Sequence, residues 1–111
     1  MSWLPAFLWR ADSTWRAMRT EVPWVDTAPS EVVRRHVRLT TQPFDVPHHA
    51  ETVTALLEQF AAEEMLLFAS DFPHWHFDGE AVLPPGLSAA LVERISARNP
   101  YETYPRLLEK A

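Results

Sequence analysis

The sequence predicts an α/β fold with about two parallel strands and about four to five helices. Helical and strand-like patterns alternate in the order helix, helix, strand, helix, strand, helix, helix, and such alternation usually produces parallel strands joined by helices. Residues 65–70, "MLLFAS", form a continuous apolar run of strand length, which is typical of a parallel strand buried on both faces. Because no internal repeat or linker divides the chain, we expect residues 1–111 to form a single unit.

Two helices are predicted before the first strand. In residues 3–19 the apolar side chains recur at helical spacing, and Pro5 falls in the first turn, where proline is tolerated. Residues 21–30 form a connector that is interrupted by prolines. The second helix, "SEVVRRHV", is expected to end near Val37.

Two strands and the helix between them follow. Residues 37–42 alternate apolar and polar side chains, and Pro43 ends this first strand. The third helix is predicted over residues 48–63, where apolar side chains form a helical stripe. The second strand is the apolar run 65–70. A buried parallel strand needs neighbours on both edges and this chain offers one, so we expect a homo-oligomer or a partner chain.

A long loop and two helices complete the chain. The loop is predicted over residues 71–86. The fourth helix is indicated by apolar residues at helical spacing, namely Leu87, Leu91 and Ile95. A further helix is predicted to begin at Asn99, which has a capping side chain. Pro100 suits the first helical position, and Glu102 lies at the spacing of a capping box.

Charge and composition exclude several classes of protein. The net charge is −5 with acidic and basic residues interspersed, whereas a nucleic-acid surface needs clustered Lys and Arg, so we expect no nucleic-acid partner. The chain has no cysteine, which excludes disulfides and thiolate metal sites and fits a cytoplasmic protein. The apolar segment at residues 1–10 is too short to span a bilayer, so we expect no membrane partner.

The stretch "LLFASDFPHWHFDG", residues 66–79, carries the candidate site. Its apolar run gives way to Asp71, and His74 and His76 follow at alternate positions. A carboxylate and imidazoles just past a buried strand are typical of a metal site or an acid–base site. The same pattern fits a polar loop that leaves a core. The residues alone leave both interpretations open.

The segment Ser70–Trp75, which reads Ser-Asp-Phe-Pro-His-Trp, resembles the final strand and loop of the amidohydrolase-related metal-dependent hydrolases. That family includes aminocarboxymuconate-semialdehyde decarboxylase-like enzymes, which act on aromatic or unsaturated acids. The resemblance extends to "SWLPAFLWRADSTWRAMRTEVPW" after the sixth barrel strand, to "PSEVVRRHVRLTTQP" at the seventh and to "ERISARNPYETY" at the closing helix. There Pro100 departs from the family's usual Ala. Nearly the whole chain is covered.

The resemblance implies that residues 1–111 are the last quarter to third of a (β/α)8 TIM-type barrel, that is, its C-terminal fragment. It implies a metal-dependent hydrolase or decarboxylase acting on a small organic acid, with a divalent metal, zinc, in the complete enzyme. Asp71 matches the strand-eight aspartate that binds the metal or takes the proton of its bound water. His74 is the second predicted catalytic residue, in a role that orders the loop.

The family's other ligands are a His-x-His pair on the first strand and histidines from strands five and six, and none has a counterpart in this sequence. We therefore expect the isolated chain to lack most metal ligands. One alternative is a local three-ligand site made of Asp71, His74 and His76. The alternative function is a non-catalytic barrel remnant that oligomerises or docks on a chain supplying the missing strands. In either case we expect exposed apolar surface on strand 65–70 and helix 3–19.

Overall fold

The computed structural model describes residues 1–45, 47, 49–75 and 82–110, with the backbone alone of Lys110. The helices are α1 (Leu4–Ala17), α2 (Pro29–His36), α3 (Ala50–Glu58), α4 (Ala62–Met65), α5 (Ala89–Glu93) and α6 (Asn99–Thr103). The strands are β1 (Leu39–Thr40) and β2 (Leu66–Leu67). A π-helical turn, Arg94–Arg98, joins α5 to α6, and Pro105–Lys110 forms a 3-10 helix. The predicted order of helices and strands is confirmed.

The two strands pair in parallel. Leu39 lies opposite Leu66, and Thr40 lies opposite Leu67. The helices α3 and α4 connect the strands, as expected for a crossover between parallel neighbours. The predicted parallel pair is therefore confirmed.

Both regular strands are shorter than the predicted ranges 37–42 and 65–70. Beyond Thr40 the backbone N–H of Thr41 still bonds to Leu67, and the side chain of Thr41 then bonds to Ala69. Met65 ends helix α4 instead of starting the strand. The strand path is thus present, but hydrogen bonds from a side chain replace part of the ladder.

The crossover consists of two helices where one was predicted over residues 48–63. Ala61 adopts the left-handed conformation, with φ 56° and ψ 52°, and so separates α3 from α4. Such a conformation is costly for alanine. The preceding Phe60 is completely buried, and burial of its ring offsets that cost.

One apolar cluster joins α1, the crossover, β2 and the π turn. It covers the face of the sheet that carries Leu39 and Leu66. Its buried members are Met1, Leu4, Leu8, Val53, Leu57, Phe60, Ala62, Met65, Leu66 and Ile95. All helices that contribute to this cluster therefore pack on one side of the two-stranded sheet.

The expected exposure of apolar surface is confirmed for α1 and wrong for most of the segment 65–70. Trp3, just before α1, is 58% exposed, and Phe7 on α1 is 52% exposed. In the segment 65–70, by contrast, Met65, Leu66 and Leu67 are buried. The crossover and the π turn cover this strand within the chain itself.

The predicted helix boundary at Asn99 is confirmed, but its predicted capping role is wrong. Asn99 has helical dihedral angles, φ −59° and ψ −41°, and the chain passes through it from the π turn into α6. Its side chain bonds to the backbone of Glu63 and Leu66 instead of to the first turn of α6. Pro100 lies at the start of α6, as predicted.

Candidate functional site

The candidate site lies past the carboxyl ends of the two strands. Thr41 N–H donates to Leu67 O at 2.9 Å. The Thr41 hydroxyl donates to Ala69 O at 3.1 Å and accepts from Ala69 N–H at 3.0 Å. Because a hydroxyl is both donor and acceptor, this buried threonine binds both polar groups of Ala69. The chain is therefore held next to β1 until two residues before Asp71.

A tight turn follows at Asp71. Asp71 has a φ of 60°, in the left-handed region where Asp is one of the few non-glycine residues commonly found. His74 N–H donates to Asp71 O at 2.7 Å, and Phe72 N–H donates to Ser70 Oγ at 3.3 Å. The Phe72–Pro73 peptide bond is cis. Non-glycine residues held in this region cluster at functional sites, which motivates a functional interpretation of Asp71.

The turn brings together the two side chains that the sequence predicts as catalytic. His74 Nδ1 lies 3.4 Å from Asp71 Oδ2. The Asp71 side chain is 33% exposed and that of His74 is 50% exposed, so water reaches both. A carboxylate beside an imidazole can accept a proton or hold a cation. This pair is the chemical centre of the candidate site.

Two exposed aromatic residues are neighbours of the pair in the chain. The rings of His74 and Trp75 lie 5.7 Å apart at an interplanar angle of 35°. Trp75 is 81% exposed and Phe72 is also largely exposed. The polar pair therefore sits beside a substantial apolar surface.

Gln42, just past the end of β1, connects this strand to Val82. Gln42 Nε2 donates to Val82 O at 2.9 Å, while Gln42 Oε1 accepts from Phe44 N–H at 3.2 Å. Val82 is the first described residue after Trp75. Gln42 and Thr41 are not among the candidate site residues that the sequence predicts. The signal that could have found them is a run of polar residues, "TTQ", at the end of the first predicted strand.

The remaining histidines that the structure describes do not join this pair. His76 and His48 lie outside the described residues, so the three-ligand alternative through His76 stays a prediction. His36 and His49 are exposed, on α2 and just before α3. Among the residues that the structure describes, no group of three or more His, Cys, Asp or Glu side chains could hold a metal ion.

The donor set is thus too small for a complete metal centre. A catalytic zinc ion takes three protein ligands and keeps a fourth position for water. Asp71 and His74 supply two suitable donors. The described residues therefore fit part of a divalent-metal site, with fewer than the three protein ligands of a catalytic zinc centre.

Most of the chain matches one protein-family model. A family model described as Amidohydrolase matches residues 4–106. The chain belongs to the amidohydrolase family. The match spans both strands and the Asp71–His74 pair, so this amidohydrolase segment has its candidate site within the matched region. The parallel strands and helices of this family member are consistent with part of a TIM-type barrel.

A comparison with curated proteins found no match to this amidohydrolase-family chain. Among the described residues, no helix is both long enough and apolar enough to cross a membrane.

Proposed function

We propose that this chain forms the C-terminal part of an amidohydrolase barrel and contributes Asp71 to a site for metal-assisted hydrolysis or non-oxidative decarboxylation of a small organic acid. The observation that carries this proposal is the position of the Asp71–His74 pair. It lies at the carboxyl end of a parallel strand, where TIM-barrel enzymes place their chemistry. The family match covers this strand and its loop.

The arrangement of the strands supports the barrel part of the proposal. A parallel pair with its helices on one side is the repeating unit of such a barrel. Thr41 N–H points to β2, so the polar backbone groups of Thr40 point to the opposite edge of β1, where a further strand would pair. The remaining strands would come from residues outside this sequence, from a second copy or from a partner chain.

The two side chains have different roles in this proposal. Asp71 is the hard anionic ligand or proton acceptor, and His74 orders the carboxylate and its loop through the 3.4 Å contact. In such a site a divalent ion such as zinc lowers the pKa of its bound water. The other ligands of that ion would lie on the remaining strands. Phe72 and Trp75 would form an apolar wall suited to the unsaturated acids of the decarboxylase-like branch.

A metal titration of the isolated chain tests the role of Asp71. Mn²⁺ binds oxygen ligands and broadens the NMR signals of nearby nuclei even when it binds weakly. With millimolar Mn²⁺ we expect the signals of Asp71 and His74 to broaden before those of the other carboxylates. The Asp71→Asn variant should lose this broadening.

Asp26→Asn is the matched control, since Asp26 is an exposed aspartate whose carboxylate accepts a hydrogen bond from the adjacent Thr27. This variant should leave the broadening at His74 unchanged. Broadening that persists in Asp71→Asn, or that centres on other carboxylates, would remove Asp71 from the proposed metal site.

A non-catalytic barrel segment is the second candidate function. It is favoured by the lack, within the described residues, of a third metal-binding side chain near Asp71 and His74. In that case the chain would act by associating with itself or with a partner, and Mn²⁺ would show no preference for the strand end. The titration therefore discriminates between the two functions.

A further inference from the structure

An aromatic and basic stripe runs along one side of helix α1, starting at the residue before it. Trp3, Phe7 and Arg10 follow each other at helical spacing, whereas Leu4 and Leu8 occupy the buried side of the helix. The exposed rings of Trp3 and Phe7 lie 5.9 Å apart in an edge-to-face arrangement. Aromatic residues and arginine are enriched at the centres of protein interfaces. This set of three residues, here called the α1 stripe, therefore has the composition of an interface.

A groove lies between the crossover helices and α5. Its volume is about 360 Å³, within the range of about 300–1,000 Å³ that is usual for binding clefts. Leu57 and Ala62 line it and are buried, and Leu91 lines it and is partly exposed. Glu58 and Glu63 also line it and are exposed. This cleft, here called the α3–α5 groove, thus combines apolar walls with two carboxylates.

The charges of the stripe and of the groove are opposite. Among the described residues, the ion pairs include neither Arg10 nor the carboxylates of Glu58 and Glu63. Arg94 also lines the groove, but its Nε donates to Glu63 O and its Nη2 lies 3.9 Å from Glu102 Oε2. The groove therefore keeps a negative charge that suits an incoming cation.

The charges of the whole chain are divided in the same way. Residues 1–40 contain six arginines and four acidic residues, whereas residues 41–111 contain four basic and eleven acidic residues. The α1 stripe belongs to the first part and the α3–α5 groove to the second. Opposite charges on two surfaces favour contact between the first part of one copy and the second part of another. A two-fold contact between α1 helices would instead bring like charges together.

We propose that the chain assembles head to tail, with the α1 stripe of one copy seated in the α3–α5 groove of the next. The aromatic rings cover the apolar walls, and Arg10 pairs with the groove carboxylates. Because the stripe and the groove share no residue, the contact is heterologous and can repeat from copy to copy. It uses neither strand, so it leaves the outer edge of β1 available for a further strand. This inference goes beyond the proposed function and does not depend on the chemistry of Asp71.

Charge reversal on the full chain tests the contact, with sedimentation velocity as the measurement. At high micromolar concentration we expect wild type to form dimers and larger assemblies. Arg10→Glu and Glu58→Arg should each raise the dissociation constant by about 10-fold, because each places like charges at the contact. Both side chains are exposed, so neither substitution disturbs the core.

A chain that carries Arg10→Glu and Glu58→Arg together again has opposite charges on the stripe and the groove, so it should regain most of the wild-type association. Glu109→Arg is the matched control: this exposed glutamate lies outside the groove, and its reversal changes the net charge by the same amount as Glu58→Arg. It should leave association unchanged and should not rescue Arg10→Glu.

Three outcomes would overturn the proposal. A monomeric wild type would remove the contact altogether. Association of Glu58→Arg at the wild-type level would place the contact on α1 alone, as in a two-fold dimer. Failure of the double reversal to recover association would mean that Arg10 and Glu58 do not meet. None of these measurements involves a metal, so they are decided separately from the Mn²⁺ titration of Asp71→Asn.

Discussion

Asp12 shows how one carboxylate can begin a helix to which it does not belong. Helix α2 has Ala28 at its cap position, and Pro29 follows without an N–H. Ser30 N–H is therefore the first unpaired donor of the helix. Asp12, on α1, accepts this N–H at 2.9 Å through Oδ1 and the Ser30 hydroxyl at 2.7 Å through Oδ2. The carboxylate thus replaces the missing cap and joins the two helices.

The pH dependence of stability should report this contact. Burial raises the pKa of Asp12, but the hydrogen bonds from Ser30 and the charges of Arg16 and Arg34 together outweigh it, so the pKa is lowered. A lowered folded-state pKa stabilises the protein fully above the unfolded-state value of about 4 and ceases to do so as the pH falls through the folded-state value. Asp12→Asn should cost about 1 kcal/mol at neutral pH, because the amide lacks the negative charge that the hydrogen bonds from Ser30 and the two arginines favour.

Urea unfolding at pH 7 and pH 3 measures this prediction, with Asp26→Asn as the control on an exposed aspartate. The difference between wild type and Asp12→Asn should shrink at the lower pH, while Asp26→Asn should follow wild type at both. A difference of equal size at both pH values would mean that ionisation of Asp12 does not contribute to stability.

At the scale of single residues, the sequence predicts those side chains whose partners lie nearby in the chain. Asp71 and His74 are three residues apart, so a local motif contains their whole contact. Asn99 binds carbonyls 33 and 36 residues away, and Gln42 binds one 40 residues away. No spacing rule predicts such contacts, because they depend on how the helices pack against the strands.

At the scale of elements, Ala61 determines how the crossover is built. Its left-handed conformation ends α3 and redirects the chain into α4, which leads directly into β2. Alanine is poorly suited to this conformation because its Cβ approaches the following carbonyl oxygen. The sequence gives no warning of the break, since no glycine or proline lies between residues 48 and 63.

Ala61→Gly should therefore stabilise the chain by about 1 kcal/mol, because glycine adopts this conformation without a steric penalty. Ala62→Gly is the matched control: the neighbouring alanine is helical and buried, so glycine there should destabilise by about 1 kcal/mol. Chemical unfolding of both variants gives the signs. If Ala61→Gly destabilised the chain as much as Ala62→Gly, position 61 would not be left-handed in solution.

Also at the scale of elements, the sequence predicts the pair of parallel strands but not the residues at which the strands end. The apolar run and the alternating helices indicate two parallel strands, because those signals are local and periodic. The strand ends depend on the Thr41 hydroxyl and on the Ile95 carbonyl. The first is a side chain that replaces a backbone partner, and the second is freed by a π turn that no residue pattern announces.

At the scale of the whole molecule, the helical side of the sheet is covered, whereas the rings of Trp3 and Phe7, here called the α1 surface, are exposed. Trp3, just before α1, and Phe7, on α1, have rings 5.9 Å apart in an edge-to-face arrangement, and both are more than half exposed. Trp9, on the same helix, is also exposed. Three large aromatic rings exposed on one helix are unusual for a monomer and indicate association.

We expect the chain to self-associate through this α1 surface. In sedimentation velocity at high micromolar concentration, wild type should have a mass at least about twice the 12.8 kDa of one chain, because burial of large aromatic rings drives association. Phe7→Gln should shift the population toward the monomer. Trp24→Gln is the control, since Trp24 is an exposed ring on the connector between α1 and α2, and it should leave the mass unchanged. A wild-type chain that sediments as a monomer would contradict the prediction. The exposed aromatic rings would then remain in contact with water in solution.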